Sequence, residues 1–152
     1  MKTRRAMLAT GAQLAGLLAS ASLLPASAQA AWNQGAFDAK NMGDLMKALG
    51  ANAPAASKDI TVSGPDIAEN GAVVPVGAST TLPGVKRLLL LVEKNPSVLA
   101  AAFDVSDAID ANINTRVKMG QSSNVFAVAL MNDGKVLYAS KEIKVTLGGC
   151  GG

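Results

Sequence analysis

Two stretches of the chain are apolar at nearly every position, and they limit the folds that it can adopt. They are residues 88–92 and residues 125–130. A half-exposed antiparallel strand alternates apolar and polar residues, so these two strands need an apolar cover on both faces. One cover is the second sheet of a sandwich. The other cover is either an N-terminal helix or a second subunit. Contiguous apolar surface usually marks an interface, but the pattern alone favours neither of these two covers.

Shorter strand signals fill the rest of residues 58–147. Apolar and polar residues alternate over 113–119 and again over 142–147, where Leu147 is predicted to be the last side chain anchored in the core. Asn132-Asp133-Gly134 is a hairpin turn signal between strands predicted at 125–131 and 135–138. About seven short strands at this spacing predict a mainly β protein, an immunoglobulin-like antiparallel β-sandwich.

A short helix is predicted ahead of the sandwich. Asn41 is a suitable helix N-cap, Asp44 follows three residues later, and Gly50 ends the apolar periodicity. Residues 32–40 show no regular pattern and are predicted to be irregular. Residues 31–57 are therefore interpreted as an N-terminal helical segment with a linker.

The first 30 residues follow the plan of a cleavable export signal. A short basic start precedes an apolar stretch, and Ala28-Gln29-Ala30 is an A-x-A cleavage sequence. The Arg4-Arg5 pair indicates twin-arginine export of a folded protein. An uncleaved anchor is the alternative, but the apolar run is barely of spanning length and is rich in Gly and Ser. The sequence predicts a periplasmic protein cleaved near Ala30, without a stable membrane anchor.

Charge and missing residue types exclude several classes of protein. Three of the 14 basic residues lie in the leader, which leaves 11 against 11 acidic residues, so nothing indicates nucleic-acid binding. The chain has no histidine, which excludes a Ser-His-Asp triad and the usual zinc site. Asp104, Asp107 and Asp110 recur every three residues and are interpreted as a solvated loop or short helix rather than a calcium site. We therefore predict no metal, no cofactor and no self-contained catalysis.

The single cysteine lies in the C-terminal arm, residues 148–152, with the sequence GGCGG. Cys150 has no core to pack into and no second cysteine to pair with, so the arm presents a thiol to another molecule. Five residues extend roughly 17 Å at about 3.3–3.6 Å each. Gly148, Gly149, Gly151 and Gly152 make a thin, flexible tether. Without a histidine to activate it, this thiol indicates carriage of a covalent load rather than catalysis.

Three stretches resemble the SoxY family, the sulfur-carrier subunits of periplasmic thiosulfate-oxidising systems. They are residues 65–76 (PDIAENGAVVPV), residues 115–125 (TRVKM continuing to SSNV) and residues 144–152 (KVTLGGCGG). The last stretch is the most specific, because the family ends in G-G-C-G-G. The resemblance spans essentially the whole chain after the leader.

The resemblance implies a covalent sulfur carrier without catalysis of its own. Cys150 would be joined to thiosulfate by a haem-containing cytochrome, and a manganese-dependent thiosulfohydrolase would release sulfate. A sulfane dehydrogenase, where present, would oxidise the remaining sulfur. The family pairs with a second subunit, SoxZ, in a heterodimer. This implies that the doubly apolar strands face SoxZ, with Leu89 and Leu91 as the suggested interface residues.

Two other classes of protein stay open. Ubiquitin-like sulfur carriers also end in Gly-Gly and carry a terminal thiocarboxylate, although the leader and Cys150 argue against that class. The other class is a periplasmic interaction protein with an incidental thiol, since a leftover cysteine in an exported protein often pairs between molecules.

Overall fold

Two β-sheets and two short helices make up residues 33–147, the part of the chain that the computed structural model describes. The helices are α1 (Gln34–Asp38) and α2 (Met42–Ala48). The strands are β1 (Ala55–Ala56), β2 (Ile60–Ser63), β3 (Ile67–Asn70), β4 (Val74–Thr80), β5 (Val85–Val92), β6 (Leu99–Asp104), β7 (Asn112–Val117), β8 (Ser123–Met131) and β9 (Val136–Leu147). The predicted mainly β sandwich is confirmed. The predicted leader and the C-terminal arm lie outside the described residues.

The larger sheet has the order β1-β9-β8-β5-β6, with β3 also beside β9, and the smaller sheet has the order β2-β4-β7. All pairs are antiparallel except those of β1 and β3, which run parallel to β9. Ala55 lies opposite Leu137 and Ile67 lies opposite Lys144, so these two short strands occupy successive parts of one edge. The purely antiparallel prediction missed them because each pairs with a strand far away in the sequence.

Strand β9 is longer than predicted. The sequence indicated two segments, 135–138 and 142–147, but the structure has one strand of 12 residues. Residues 123–130 of β8 pair with it continuously from Ile143 to Val136, so the hydrogen-bond ladder carries the strand through the weakly patterned residues 139–142. The predicted hairpin turn before it is confirmed, with Gly134 at a φ of +86°.

The inner core lies between the two sheets. It consists of apolar side chains from the facing sides of both sheets, chiefly Val74, Val76, Ala78, Leu88, Leu90, Val92, Val125, Ala127, Ala129 and Ile143. Because side chains alternate along a strand, the intervening residues of β5 and β8 point to the opposite face of the larger sheet.

The outer core lies on that opposite face, beneath the helices. Leu89 and Leu91 of β5 pack there with Leu45 and Met46 of α2 and with Val128 of β8. Leu89 and Leu91 have no exposed surface at all. The suggestion that they face SoxZ is therefore corrected, because the chain's own helices already cover them. Of the two covers that the sequence left open, the structure has the N-terminal one.

An asparagine caps the N-terminus of each helix. The Asn41 Oδ1 accepts a hydrogen bond from the Asp44 backbone N–H at 2.9 Å, as predicted for α2, and Gly50 follows the helix at a φ of +63°. Helix α1 was not predicted, because five residues are too few to show a helical period; Asn33 caps it through the Ala36 N–H at 3.1 Å. Within residues 33–147, no helix is long and apolar enough to cross a membrane.

We expect Leu89→Asp to unfold the domain rather than to separate two subunits. The change places an unpaired charge in the outer core and should lower the free energy of unfolding by about 3–5 kcal/mol. Ala102→Asp is the matched control, since Ala102 lies directly opposite Leu89 in the sheet but is exposed. Denaturant unfolding followed by circular dichroism measures the free energy of unfolding of both variants. Equal stability of the two variants would contradict the burial of Leu89 in the outer core.

Candidate functional site at the root of the C-terminal arm

The described part of the chain ends at Leu147, the residue that joins β9 to the arm. Cys150 and its four neighbouring glycines lie outside the described residues. The Leu147 side chain is 70% exposed, so its predicted role as the last anchor in the core is wrong. Ile143 is fully buried and Val145 is partly buried on the same side of β9. The apolar alternation thus continues two residues beyond the core.

The end of β9 is held by backbone hydrogen bonds rather than by a buried side chain. Leu147 is paired with Asn70 of β3, and its carbonyl accepts a hydrogen bond from the Gly71 N–H at 2.8 Å. The Gly71 carbonyl accepts in turn from the Met119 N–H at 2.7 Å. Gly71 therefore links the last residue of β9 to the segment that follows β7 in the other sheet.

Two hydroxyl groups complete this attachment. The β8 ladder reaches only the Ser123–Ile143 pair, and beyond it the Ser122 Oγ accepts a hydrogen bond from the Val145 N–H at 2.9 Å. On the β3 side, the Thr146 Oγ1 donates to the Glu69 carbonyl at 3.1 Å. The last residues of β9, 145–147, are thus bound along both edges. We call them the root of the arm.

Lys141 ties the loop before β3 to β9. Its Nζ lies 2.9 Å from the Asp66 Oδ1 and donates to the Gly64 carbonyl at 2.6 Å. The Asp66 carbonyl accepts from the Lys144 N–H at 3.0 Å. The hydrogen bond from Lys141, followed by its positive charge, lowers the pKa of Asp66. The sequence carries no signal for this pair, because 77 residues separate Lys141 from Gly64, and only the family-like stretch 65–76 marks the loop.

The opposite end of the sandwich holds an open depression of about 830 Å³. Its lining includes Ile109, Asp107 and Asp110. Asp104 instead pairs with Arg87, whose hydrogen bond lowers the pKa of Asp104. Among residues 33–147, no group of three or more His, Cys, Asp or Glu side chains is placed to hold a metal ion. The depression and the root of the arm are separate features.

The fold and the root of the arm together place this chain in a class of small β-sandwich proteins. In this class the last strand leads into a segment that carries a cysteine. A sequence profile described as "Sulfur oxidation protein SoxY" matches residues 45–150, more than half of the chain. The chain belongs to the SoxY family.

Solved structures agree with this assignment. The sulfur carrier protein SoxY from Chlorobium limicola f thiosulfatophilum is similar at 31% identity with a TM-score of 0.62, covering 69% of this chain and 94% of that one. A superoxide reductase (neelaredoxin) from Ignicoccus hospitalis shares 18% identity with a TM-score of 0.51, covering 57% of this chain and 79% of that one. The second likeness shows a common fold alone. No curated protein matches the chain significantly.

We expect Ser122→Ala to loosen the end of β9 locally. The change removes the hydrogen bond from the Val145 N–H at 2.9 Å and the longer one to the Val145 carbonyl at 3.5 Å. Loss of the N–H bond costs about 1 kcal/mol, so amide exchange at Val145 should be about fivefold faster. Ser140→Ala is the control, because Ser140 is an exposed residue in the middle of the same strand. Hydrogen exchange followed by NMR measures both. If Val145 exchanges at the parent rate in Ser122→Ala, the hydroxyl does not support the root.

Lys141→Met should raise the pKa of Asp66 toward its ordinary value of 3.8. Because the folded-state pKa is the lower one, the ion pair stabilises the fold above pH 3.8, and its contribution is lost as the pH falls through the lowered pKa. NMR titration of the Asp66 carboxyl carbon tests this. Asp133, whose pKa Lys135 lowers, is an internal control that should titrate identically in both chains. An unchanged Asp66 pKa would mean that the pair with Lys141 does not form in solution.

Proposed function

We propose that the chain is a covalent carrier that holds sulfur intermediates of thiosulfate oxidation on Cys150. One observation carries the proposal: the SoxY family match runs from residue 45 to residue 150, so it includes the only cysteine of the chain. The similar structure is itself described as a sulfur carrier protein. The root of the arm supports the same function, because a fixed starting point lets a short arm present one thiol to successive partners.

The loading step joins two sulfur atoms. The Cys150 thiol loses its proton and forms an S–S bond with the outer sulfur of thiosulfate, which leaves cysteine S-thiosulfonate. This bond formation releases two electrons, and a haem-containing cytochrome accepts them. Water then cleaves the bond to the sulfonate group at a manganese-dependent thiosulfohydrolase. Sulfate and a proton leave, and one sulfur stays on Cys150 as a persulfide, which a sulfane dehydrogenase oxidises where that enzyme is present.

The chain contributes attachment and presentation, and its partners contribute the chemistry. It has no histidine to activate a thiol, so the activating groups belong to the partner enzymes. We propose that the carrier acts in the periplasm, after export and cleavage near Ala30, as a heterodimer with SoxZ. Since α1 and α2 cover Leu89 and Leu91, SoxZ must bind to a different surface of the sandwich.

Intact mass spectrometry of protein from cells oxidising thiosulfate tests the carrier function. We expect mass increments of thiosulfate or of single sulfur atoms that reductant removes, because they are joined through S–S bonds. Cys150→Ser should abolish them. A chain that combines Cys150→Ser with Ser140→Cys is the matched control, since it keeps one exposed thiol but places it on the body of β9.

Three results would contradict the carrier function. Equal loading of the relocated thiol in the Ser140→Cys control would indicate incidental thiol chemistry. A mass increment that survives in Cys150→Ser would indicate a terminal thiocarboxylate instead. A bare thiol or a plain disulfide dimer under every condition would favour the interaction protein.

A further inference from the structure

The chain has one Asn-Gly pair, Asn70-Gly71, and it lies beside the root of the arm. An asparagine followed by a glycine is the pair in which a chain most readily attacks its own side chain, because glycine has no Cβ to hinder the approach. The backbone nitrogen of the glycine attacks the side-chain carbonyl carbon, and a five-membered succinimide ring forms. Asn70 is exposed, so water can reach such a ring and open it.

Hydrogen bonds engage both reacting groups in the folded chain. The Gly71 N–H, which holds the attacking nitrogen, donates to the Leu147 carbonyl at 2.8 Å, and Gly71 is buried. The Asn70 Oδ1 accepts from the Ala72 N–H at 2.9 Å. Asn70 is also the last residue of β3 and is paired with Leu147. Its side chain therefore stands on a face of the sheet, whereas the hydrogen-bonded N–H groups lie in the plane of the sheet. The attack requires that the bond between Gly71 and Leu147 opens first.

We infer that Asn70 is a modification site, that the root of the arm holds its reaction back, and that its isoaspartate product releases that root. The reaction needs no oxidant and no partner enzyme. The Gly71 nitrogen bonds to the side-chain carbon of Asn70, and its proton leaves with the side-chain nitrogen as ammonia. Water then opens the ring at one of its two carbonyls, which gives aspartate or isoaspartate. The inference goes beyond the proposed function and does not depend on it, since no step involves Cys150.

The modified chain loses the bonds that Gly71 makes. In the ring, the Gly71 nitrogen carries no hydrogen, so the Leu147 carbonyl loses its donor. In isoaspartate, the backbone runs through the side-chain methylene, which lengthens the chain before Gly71 and displaces the carbonyl that accepts from the Met119 N–H at 2.7 Å. These two bonds link the end of β9 to the segment after β7, so their loss detaches that segment from the root of the arm.

Deamidation of Asn70 in the folded chain, followed by peptide mass spectrometry at mildly alkaline pH, tests the protection. We expect the rate to be at least about tenfold lower than in the same chain unfolded in urea, because only molecules with an open root react. Thr146→Val removes the hydroxyl that donates to the Glu69 carbonyl and should raise the folded-state rate about fivefold. Thr61→Val is the matched control, since Thr61 is exposed on β2 in the other sheet.

Amide exchange in the product tests the release of the root. Deamidation adds a negative charge, so ion exchange separates the modified chain from the parent while both stay folded, and peptide mapping identifies isoaspartate. With isoaspartate at position 70, the Met119 amide should exchange about fivefold faster or more, while Val128 in the middle of the larger sheet exchanges at the parent rate. Asn70→Ser cannot form the ring but keeps an acceptor for the Ala72 N–H, so it should resist the modification and exchange as the parent does.

The inference fails on any of three results. Equal deamidation rates in the folded and unfolded chains would mean that the root gives no protection. A rise in Thr146→Val no greater than that in Thr61→Val would mean that opening of the root does not control the reaction. A parent exchange rate at Met119 in the isoaspartate chain would mean that the modification does not release the root. Absence of sulfur on Cys150 would bear on the proposed function alone.

Discussion

Burial of β5 and β8 on both faces is the constraint on which the rest of the fold depends. Their inward side chains need the small sheet, and their outward side chains, including Leu89 and Leu91, need a second layer. Helices α1 and α2 supply that layer and are tied to the turn before β6, where the Val98 N–H donates to the Ala39 carbonyl at 3.1 Å. The face that would otherwise be the strongest candidate for a subunit interface is therefore part of the domain's own core.

The end of β9 is stabilised in a different way. Leu147 gains no burial, so the position of the root depends on the hydrogen bonds of Gly71, Ser122 and Thr146. Hydrogen bonds to the backbone fix the path of the chain without using the side chain. The Leu147 side chain consequently stays at the surface, 70% exposed. The hydrogen bonds that fix the end of β9 thus leave its last side chain exposed.

Sequence reasoning succeeded where structure is local. The N-cap at Asn41 and the turn at Gly134 depend on residues close in the chain, and both were predicted. Pairing of β3 with β9 was not predictable, because residues 67 and 144 are distant and a short parallel strand has no pattern of its own. Hydrophobic periodicity does not identify what covers an apolar face. It also does not show that a strand continues beyond the core, which is why Leu147 was wrongly predicted to be buried.

On the proposed function, selectivity is the remaining requirement for the carrier thiol. An ordinary cysteine thiol is only a few per cent thiolate at pH 7, and this chain has no histidine to raise that fraction. We propose that each productive reaction of Cys150 therefore depends on a partner that supplies the activating group. A short arm strengthens this dependence in the proposed function, because the Cα of Cys150 is three residues from Leu147 and lies within about 10–11 Å of its Cα.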